Sequence, residues 1–423
     1  MELYKNKDFK TVSVNGREVQ VPEDWEVKKL SELFEIKKGE QLNKSEFEEN
    51  KGSYPFYNGG ISPSGYINKS NVDGNNIRLS EGGASSGYVD YIKEDYWSGG
   101  HNYTLFTDKN KKYLYFILKN NQNKLFALQT GTGLPNINKK NLSAFEIFIS
   151  KDKEEQNRIV TVLTKQDELI EAKEKLIEIE EKKKTFLQQE ILFGRLRIDE
   201  NGKFYENEAW KTELVNGKSI EIPEDWKVSK IIDNVNFIKG KAIAEKLLNR
   251  EEQGYIYLKT TELWLDSASK RETLYYDGDI EDKYIKNEDE YVFSLDGFNS
   301  EIGKGTLGLV SREGKGIVST HFHKIEKNNI YELMINILKS NYIQSYIINL
   351  GEGTTVKSAN KYLKIIECFL PSDKEEQKRI SNLFKDQENK IKLIKEDLKI
   401  EKKKQKFLQQ ELLTGRIRIK EVK

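Results

Sequence analysis

The 423-residue chain has one cysteine, Cys368, and three histidines, His101, His321 and His323. A single thiol excludes an internal disulfide and points to a reducing compartment. So few soft ligands leave little basis for a structural zinc site, and none is expected. No apolar run reaches membrane-spanning length, and residues 1–10 are charged without an apolar core. Neither a membrane span nor a signal peptide is therefore expected, and the location read from the sequence is cytoplasmic. Net charge is nearly absent as well, with 70 Lys and Arg against 69 Asp and Glu. That balance neither argues for a nucleic-acid partner nor excludes one, because binding depends on where the cations cluster. Catalytic signatures are missing too: there is no P-loop, no Asn/Asp-Pro-Pro-aromatic segment and no convincing acidic nuclease cluster. Residues 303–308 match G-x-G-x-x-G by letter, but Leu309-Val310-Ser311 continues as a strand, whereas a dinucleotide fingerprint must open a helix. The expectation is a chain without catalytic machinery, cofactor or metal of its own.

What the chain does contain is itself, nearly twice. Val14-Asn15-Gly16 and Val21-Pro22-Glu23-Asp24-Trp25 return as Val215-Asn216-Gly217 and Ile222-Pro223-Glu224-Asp225-Trp226, a shift of 201 (223 − 22). Asp152-Lys153-Glu154-Glu155-Gln156 and Gly194-Arg195-Leu196-Arg197-Ile198 return as Asp373-Lys374-Glu375-Glu376-Gln377 and Gly415-Arg416-Ile417-Arg418-Ile419, a shift of 221 (373 − 152). The second copy thus carries about 20 extra residues between conserved ends, while the centres, residues 30–130 and 230–350, barely resemble each other. A unit of this size is a duplicated domain rather than a solenoid turn. Constant frames with divergent centres suggest one scaffold used twice to hold two recognition surfaces.

Residues 152–193 and 373–414 each read as one long helix. Asp152 is a candidate N-cap with Glu155 at capping-box spacing, and Gly194 stands where a helix-ending glycine belongs. Val162/Leu163, Leu169/Ile170 and Leu176/Ile177 recur at seven-residue steps, a narrow seam that wants a partner helix. Each centre mixes Gly-rich strand and loop composition with one internal helix, Lys112–Leu128 in the first and Ile330–Leu350 in the second. The expected fold class is α+β: two mixed α/β domains separated by two long antiparallel coiled-coil helices, with an internal pseudo-two-fold repeat. The corresponding partition is 1–150, 151–194, 195–371 and 372–423.

Side chains suited to base edges or phosphates lie in the divergent centres. They are Arg78, Ser85, Ser86, Lys93, His101 and Asn102 in the first, and Lys259, Thr260, Asn299, Ser300, Lys304, Arg312, Lys315 and His321 in the second. Strand alternation would put His321 and His323 on one face. Arg195, Arg197, Arg416 and Arg418 alternate with aliphatic residues after the long helices, which fits a structural strand edge better than a phosphate clamp. Lys182–Lys184 and Lys402–Lys404 read as solvated helix faces.

A variable head introduced by Pro-Glu-Asp-Trp, then Gly-Thr-Gly-Leu-Pro-Asn-Ile-Asn at 131–138, then Asp-Lys-Glu-Glu-Gln-x-Arg-Ile at 152–159 leading into a long helix, forms a frame most of which recurs in the second copy. The second copy departs at one landmark, with Gly351-Glu352-Gly353-Thr354 before its helix. Over essentially its whole length the chain resembles the specificity subunit of type I restriction-modification systems. That resemblance implies a non-catalytic subunit whose 1–150 and 195–371 segments are target-recognition domains, each reading half of a bipartite, asymmetric site on double-stranded DNA. It implies that the paired helices set the spacer and hold two methyltransferase subunits, with restriction and motor subunits joining them. S-adenosylmethionine, ATP and Mg²⁺ would sit on those partners. Two alternatives carry different signatures: a type IIB-like system would have one fused partner chain, and a coiled-coil scaffold would show no preference among DNA sequences.

Overall fold

The computed structural model describes residues 2–131, 133–259, 273–297, 308, 310–311, 314–350 and 357–420. They form two compact units: unit 1 comprises Met1–Lys175 and Glu396–Lys423, and unit 2 comprises Leu176–Lys395. The sequence partition sets each long helix apart from the heads, whereas the compact units divide both helices, here called α1 (Lys153–Leu192) and α2 (Lys374–Leu412). At 1.5 Å per residue each helix is ~60 Å long.

In unit 1 a four-stranded antiparallel sheet runs in the order Glu35–Lys38, Asn102–Phe106, Asn76–Ser80, Val89–Ile92. Every residue of Asn76–Ser80 is buried. Helix Lys111–Asn120 packs on this sheet through Leu114, Ile117 and Leu118, joined by Ile159 and Leu163 of α1, by Leu408 and Leu412 of α2 and by Leu413 just after it. Strand Trp97–Ser98 runs parallel to Lys51–Tyr57, and Trp25–Lys29 pairs with Glu146–Ser150. The repeated Asn15-Gly16 makes the tight turn of a hairpin, Phe9–Val14 with Arg17–Pro22, where both turn residues have positive φ.

Unit 2 repeats this strand order although its centre differs in sequence. Its sheet runs Phe237–Lys239, Phe322–Ile325, Val292–Ser294, Val310–Ser311. Gly316–Val318 runs parallel to Tyr255–Leu258, and Trp226–Lys230 pairs with Glu367–Pro371. Here Leu187, Ile191 and Leu192 of α1 join Ile380 and Phe384 of α2 in the core.

The single internal helix expected in each head, over 112–128 and 330–350, is broken into two. Lys111–Asn120 is followed by Gln122–Phe126, and Tyr331–Lys339 by Asn341–Leu350. Both breaks fall at a small polar residue whose side chain competes for a helix carbonyl. Asn121 Nδ2 donates to the Ile117 carbonyl at 2.9 Å and Ser340 Oγ to the Ile337 carbonyl at 2.6 Å.

Within unit 1 the long helices pair with rising numbers on α1 meeting falling numbers on α2. Gln166 donates to Glu401 at 2.7 Å, Gln405 to Asp167 at 2.5 Å, and Lys173 pairs with Asp397. Within unit 2 Lys390 reaches Glu180 at 2.7 Å and Lys184 pairs with Glu388. The expected apolar seam is only half inward: Leu163, Ile170 and Leu187 are buried, while Leu169, Leu176 and Phe186 are exposed. The lysine runs are largely ion-paired surface, with Lys182 on Glu178 and Lys402 on Glu174. Such exposed pairs contribute about 0–1 kcal/mol each, against about 1.5–3 kcal/mol for a buried Leu or Ile. The buried helix ends, rather than the ion pairs, therefore anchor α1 and α2 to their heads.

Candidate nucleic-acid interface

The repeated segments assemble into a closed frame in each unit. α1 begins at Asp152, whose carboxylate accepts from Glu154 N at 2.8 Å, and α2 at Asp373, which accepts from Glu375 N at 3.0 Å. Glu155 does not complete a capping box, because Ser150 Oγ accepts the Asp152 N–H at 3.2 Å instead. Glu155 turns inward, accepting Trp25 Nε1 at 3.1 Å and Arg418 Nε at 2.6 Å. Arg418 also grips Asp24, with Nη2 to Oδ2 at 2.7 Å. In unit 2 Arg197 holds Glu376 at 2.6 Å and Asp225 at 2.8 Å. Burial works against the charge of both arginines, but their paired carboxylates more than offset it and leave both pKa values raised. Arg195 and Arg416 are paired with Glu190 and Glu411. Arg197 and Arg418 are thus structural, while Arg195 and Arg416 are exposed ion pairs.

Each long helix ends in a Schellman turn. Gly194 (φ +68°) donates to Ile191 O and Arg195 N to Glu190 O; Gly415 (φ +66°) donates to Leu412 O and Arg416 N to Glu411 O. A Cβ at Gly194 would overlap the ring of Pro223, and one at Gly415 the ring of Pro22. The Pro-Glu-Asp-Trp segments are therefore the seats on which the helix ends rest.

This frame carries the divergent loops. In unit 1 most polar side chains expected to read DNA are turned inward to build one. Arg78 is fully buried, donating to Gly60 O and Asn102 Oδ1, each at 2.9 Å, and stacking 4.3 Å from the centre of the Tyr57 ring. Burial lowers its pKa, with the Asp90 carboxylate opposing. Asn102, also fully buried, donates to Tyr57 O at 2.7 Å. Ser85 donates to Gly59 O at 3.0 Å, and buried Ser86 to Glu81 O at 2.7 Å. Arg78, Ser85 and Asn102 thus hold the Tyr57–Ile61 loop, and Ser86 holds the turn at Glu81, rather than presenting free donors. Both faces of the strand that carries Arg78 and Ser80 are covered. Lys93 is exposed beyond the far end of the same sheet, about 15 Å along the strand from Ser80. There its charge is felt by Asp167 and Glu171 of α1.

What remains exposed at the corner is His101, with Ile61 and Leu134. A Cβ at Gly82 would lie 3.6 Å from His101 Nδ1, and one at Gly59 would lie 3.0 Å from its Cβ. Gly83 N donates to Pro135 O at 2.9 Å, which brings the Gly133–Asn136 segment alongside. Leu134, 84% exposed, stands at its tip. The sequence reading used that loop as a landmark and missed it as surface.

In unit 2 His321 occupies the matching corner. Gly39 N donates to Asn102 O and Gly240 N to Phe322 O, both at 2.9 Å, so each histidine directly precedes the residue that closes the same turn. The paired Lys38-Gly39 and Lys239-Gly240, in register at the 201 shift, were the sequence signal for this equivalence. His321 is exposed just before strand Phe322–Ile325, whereas His323 is buried edge-on to Phe237, so the two do not share an open face. Lys259 is half-buried with its Nζ 5.8 Å from the Tyr257 ring, and Lys315 is exposed at the start of strand Gly316–Val318. Thr260, Asn299, Ser300, Lys304 and Arg312 lie outside the described residues, as does most of the 303–308 glycine segment. Among the described residues no cluster of His, Cys, Asp or Glu could hold a metal ion, and no helix is long and apolar enough to cross a membrane.

Comparison with known proteins places this architecture. A putative type I specificity subunit of Mycoplasma genitalium is 34% identical over 203 residues, 47% of this chain and 50% of that protein, so the chain matches half the length of this relative. The type I restriction enzyme MjaVIII specificity subunit of Methanocaldococcus jannaschii is 27% identical over 448 residues, covering 99% of this chain and 98% of that one. The crystal structure of a type I restriction-modification system S subunit from M. genitalium has the same fold, with a TM-score of 0.62 at 22% identity over 92% of this chain and 96% of that chain. The model of the type I restriction modification DNA specificity domain matches twice, at residues 22–181 and 223–402, and the chain belongs to that family.

Proposed function

We propose that this chain is the sequence-specific DNA-recognition subunit of a type I restriction-modification complex. Each head reads one half of a bipartite, asymmetric site, and α1 and α2 pair as an antiparallel coiled coil that fixes the spacer. The observation that carries the reading is the matched corner. Two heads of unlike sequence put an exposed histidine next to the residue that closes the same glycine turn, at Gly39 in unit 1 and Gly240 in unit 2. Glycine lets a backbone approach a duplex closely, and side chains borne on such loops supply the donors and acceptors that base edges require. His101 and the Gly133–Asn136 segment in unit 1, and His321 with Lys259 in unit 2, are the residues assigned to contact. Arg78, Ser85 and Asn102 act indirectly, by holding the Tyr57–Ile61 loop, and Ser86 by holding the turn at Glu81. On this reading the chain is not itself an enzyme and works in the cytoplasm. Two methyltransferase subunits bring S-adenosylmethionine, and restriction subunits bring ATP and Mg²⁺.

The test is exchange of residues 30–145 for the corresponding segment of another such chain, followed by genome-wide mapping of methylated adenines. One half of the methylated sequence should change while the other half and the spacer persist. Both halves changing together would sink the two-reader model.

A further inference from the structure

Unit 1 contains an open groove of about 930 Å³ whose floor includes Phe9, Phe148, Phe407 and Ile417. Unit 2 supplies the reason it exists. Phe148 pairs with Val27 beside Trp25, and its counterpart Phe369 pairs with Val228 beside Trp226. Over Phe369 lie two further rings of unit 2, Phe193 at 5.7 Å and Tyr342 at 5.8 Å, the latter held by its hydroxyl donating to Val215 O at 2.7 Å. The cavity bordering those three rings is about 10 Å³, room for no more than one water. Phe193 immediately precedes the helix-ending Gly194, and the residue immediately before Gly415 is Thr414. Unit 1 therefore has a hydroxyl where unit 2 has a ring, and Phe148 stays half-exposed where Phe369 is buried.

The rim also differs in sign. Lys5 pairs with Ile417, two residues past Gly415; Glu206 pairs with Leu196, two residues past Gly194. A cation of unit 1 thus replaces a carboxylate of unit 2. Lys124 joins Lys5 on the rim, near Arg17, and neither lysine has a carboxylate partner among the described residues. The one carboxylate lining the groove, Glu411, is bound to Arg416 at 3.1 Å.

We propose that this groove is a docking site for a segment of a partner protein that carries one aromatic side chain flanked by acidic residues. The ring takes the place that Phe193 occupies in unit 2, and the acids meet Lys5 and Lys124. An apolar floor supplies most of the affinity, and the unpaired cations supply the choice of partner. The site lies wholly within unit 1, so the two units are unequal in what they bind even though their frames are alike.

The experiment uses the purified full chain and a fluorescein-labelled heptapeptide with a central Phe flanked on each side by three alternating Asp and Glu residues, followed by fluorescence anisotropy. Saturable binding is expected. It should weaken at least about tenfold when the peptide's Phe is replaced by Ala, or when Thr414→Phe fills the groove with the chain's own ring. Lys5→Glu combined with Lys124→Glu should weaken it severalfold, and a version of the peptide with Lys for every acid should not bind. Circular dichroism melting checks that Thr414→Phe folds, and the charge variants keep the test standing if it does not. Absence of saturable binding to the unmodified chain, or equal binding by the unmodified chain and all these variants, overturns the proposal.

Discussion

Unit 1 and unit 2 use an arginine in the same way and surround it with different surfaces. Arg418 joins Asp24 to Glu155, and Arg197 joins Asp225 to Glu376, with nearly the same distances. A bidentate arginine–carboxylate pair depends on both side chains and their geometry, and the sequence there is the same twice. The recognition corner is different in kind. It is set by backbone hydrogen bonds, Gly39 to Asn102 and Gly240 to Phe322, which ask for a carbonyl and not for a side chain. Asn102 and Phe322 fill equivalent places with nothing chemically in common. That is how two heads keep one strand order while their sequences part. One asymmetry reaches into the frame itself: Trp25 donates to Glu155, whereas the indole N–H of Trp226 has no partner among the described residues.

The largest effect that would break this comparison is removal of a clamp. Arg418→Ala leaves Glu155 buried and unpaired, and Arg197→Ala does the same to Glu376, each lowering stability by about 3–5 kcal/mol. Hydrogen exchange should report the loss in the unit that holds the clamp. Equal loosening of both units by either change would show that the frames are not independently closed. Gly415→Ala and Gly194→Ala come next. Each forces a left-handed backbone on alanine and drives its Cβ into a proline ring, costing about 1–3 kcal/mol by urea denaturation. The smallest effect carries no cost in stability. Burial pushes the Cys368 thiol up to about 12, so at pH 8 it stays protonated and folded chain should resist iodoacetamide. Because Cys368 belongs to unit 2, alkylation that speeds up in Gly194→Ala but not in Gly415→Ala would separate opening of one unit from opening of the other.

The parts of this architecture legible in the sequence were those that punctuation writes locally. Asp152, Asp373, Gly194 and Gly415 mark the long helices because caps and left-handed turns depend on a few adjacent residues. Burial of polar groups was not legible. Arg78, Ser86 and Asn102 stand in a glycine-rich, polar stretch that reads as surface, yet what covers them comes from elsewhere in the chain, including residues 57–61. The distance of Lys93 from the others was not legible either: it follows a strand whose two ends lie far apart, so it stands at the end of the sheet opposite Ser80. The exposed corner itself was half visible, since His101 and His321 were both named but their equivalence rests on which carbonyl each turn glycine meets. The groove in unit 1 was written as Leu-Thr-Gly-Arg against Leu-Phe-Gly-Arg. Only the packing over Phe369 gives that one difference its meaning.

The clamps also cross the duplication. Arg197 follows the helix of the first copy and closes on Asp225 and Glu376 of the second; Arg418 follows the helix of the second and closes on Asp24 and Glu155 of the first. Severed in the exposed turn at Glu200–Gly202, the chain would give two pieces, each holding one arginine without its carboxylates and one pair of carboxylates without its arginine. Neither piece is closed alone, and each is the complement of the other. Two copies of the same piece are complementary in the same way, so a half-length chain has the means to rebuild the frame as an isologous dimer that carries one head twice.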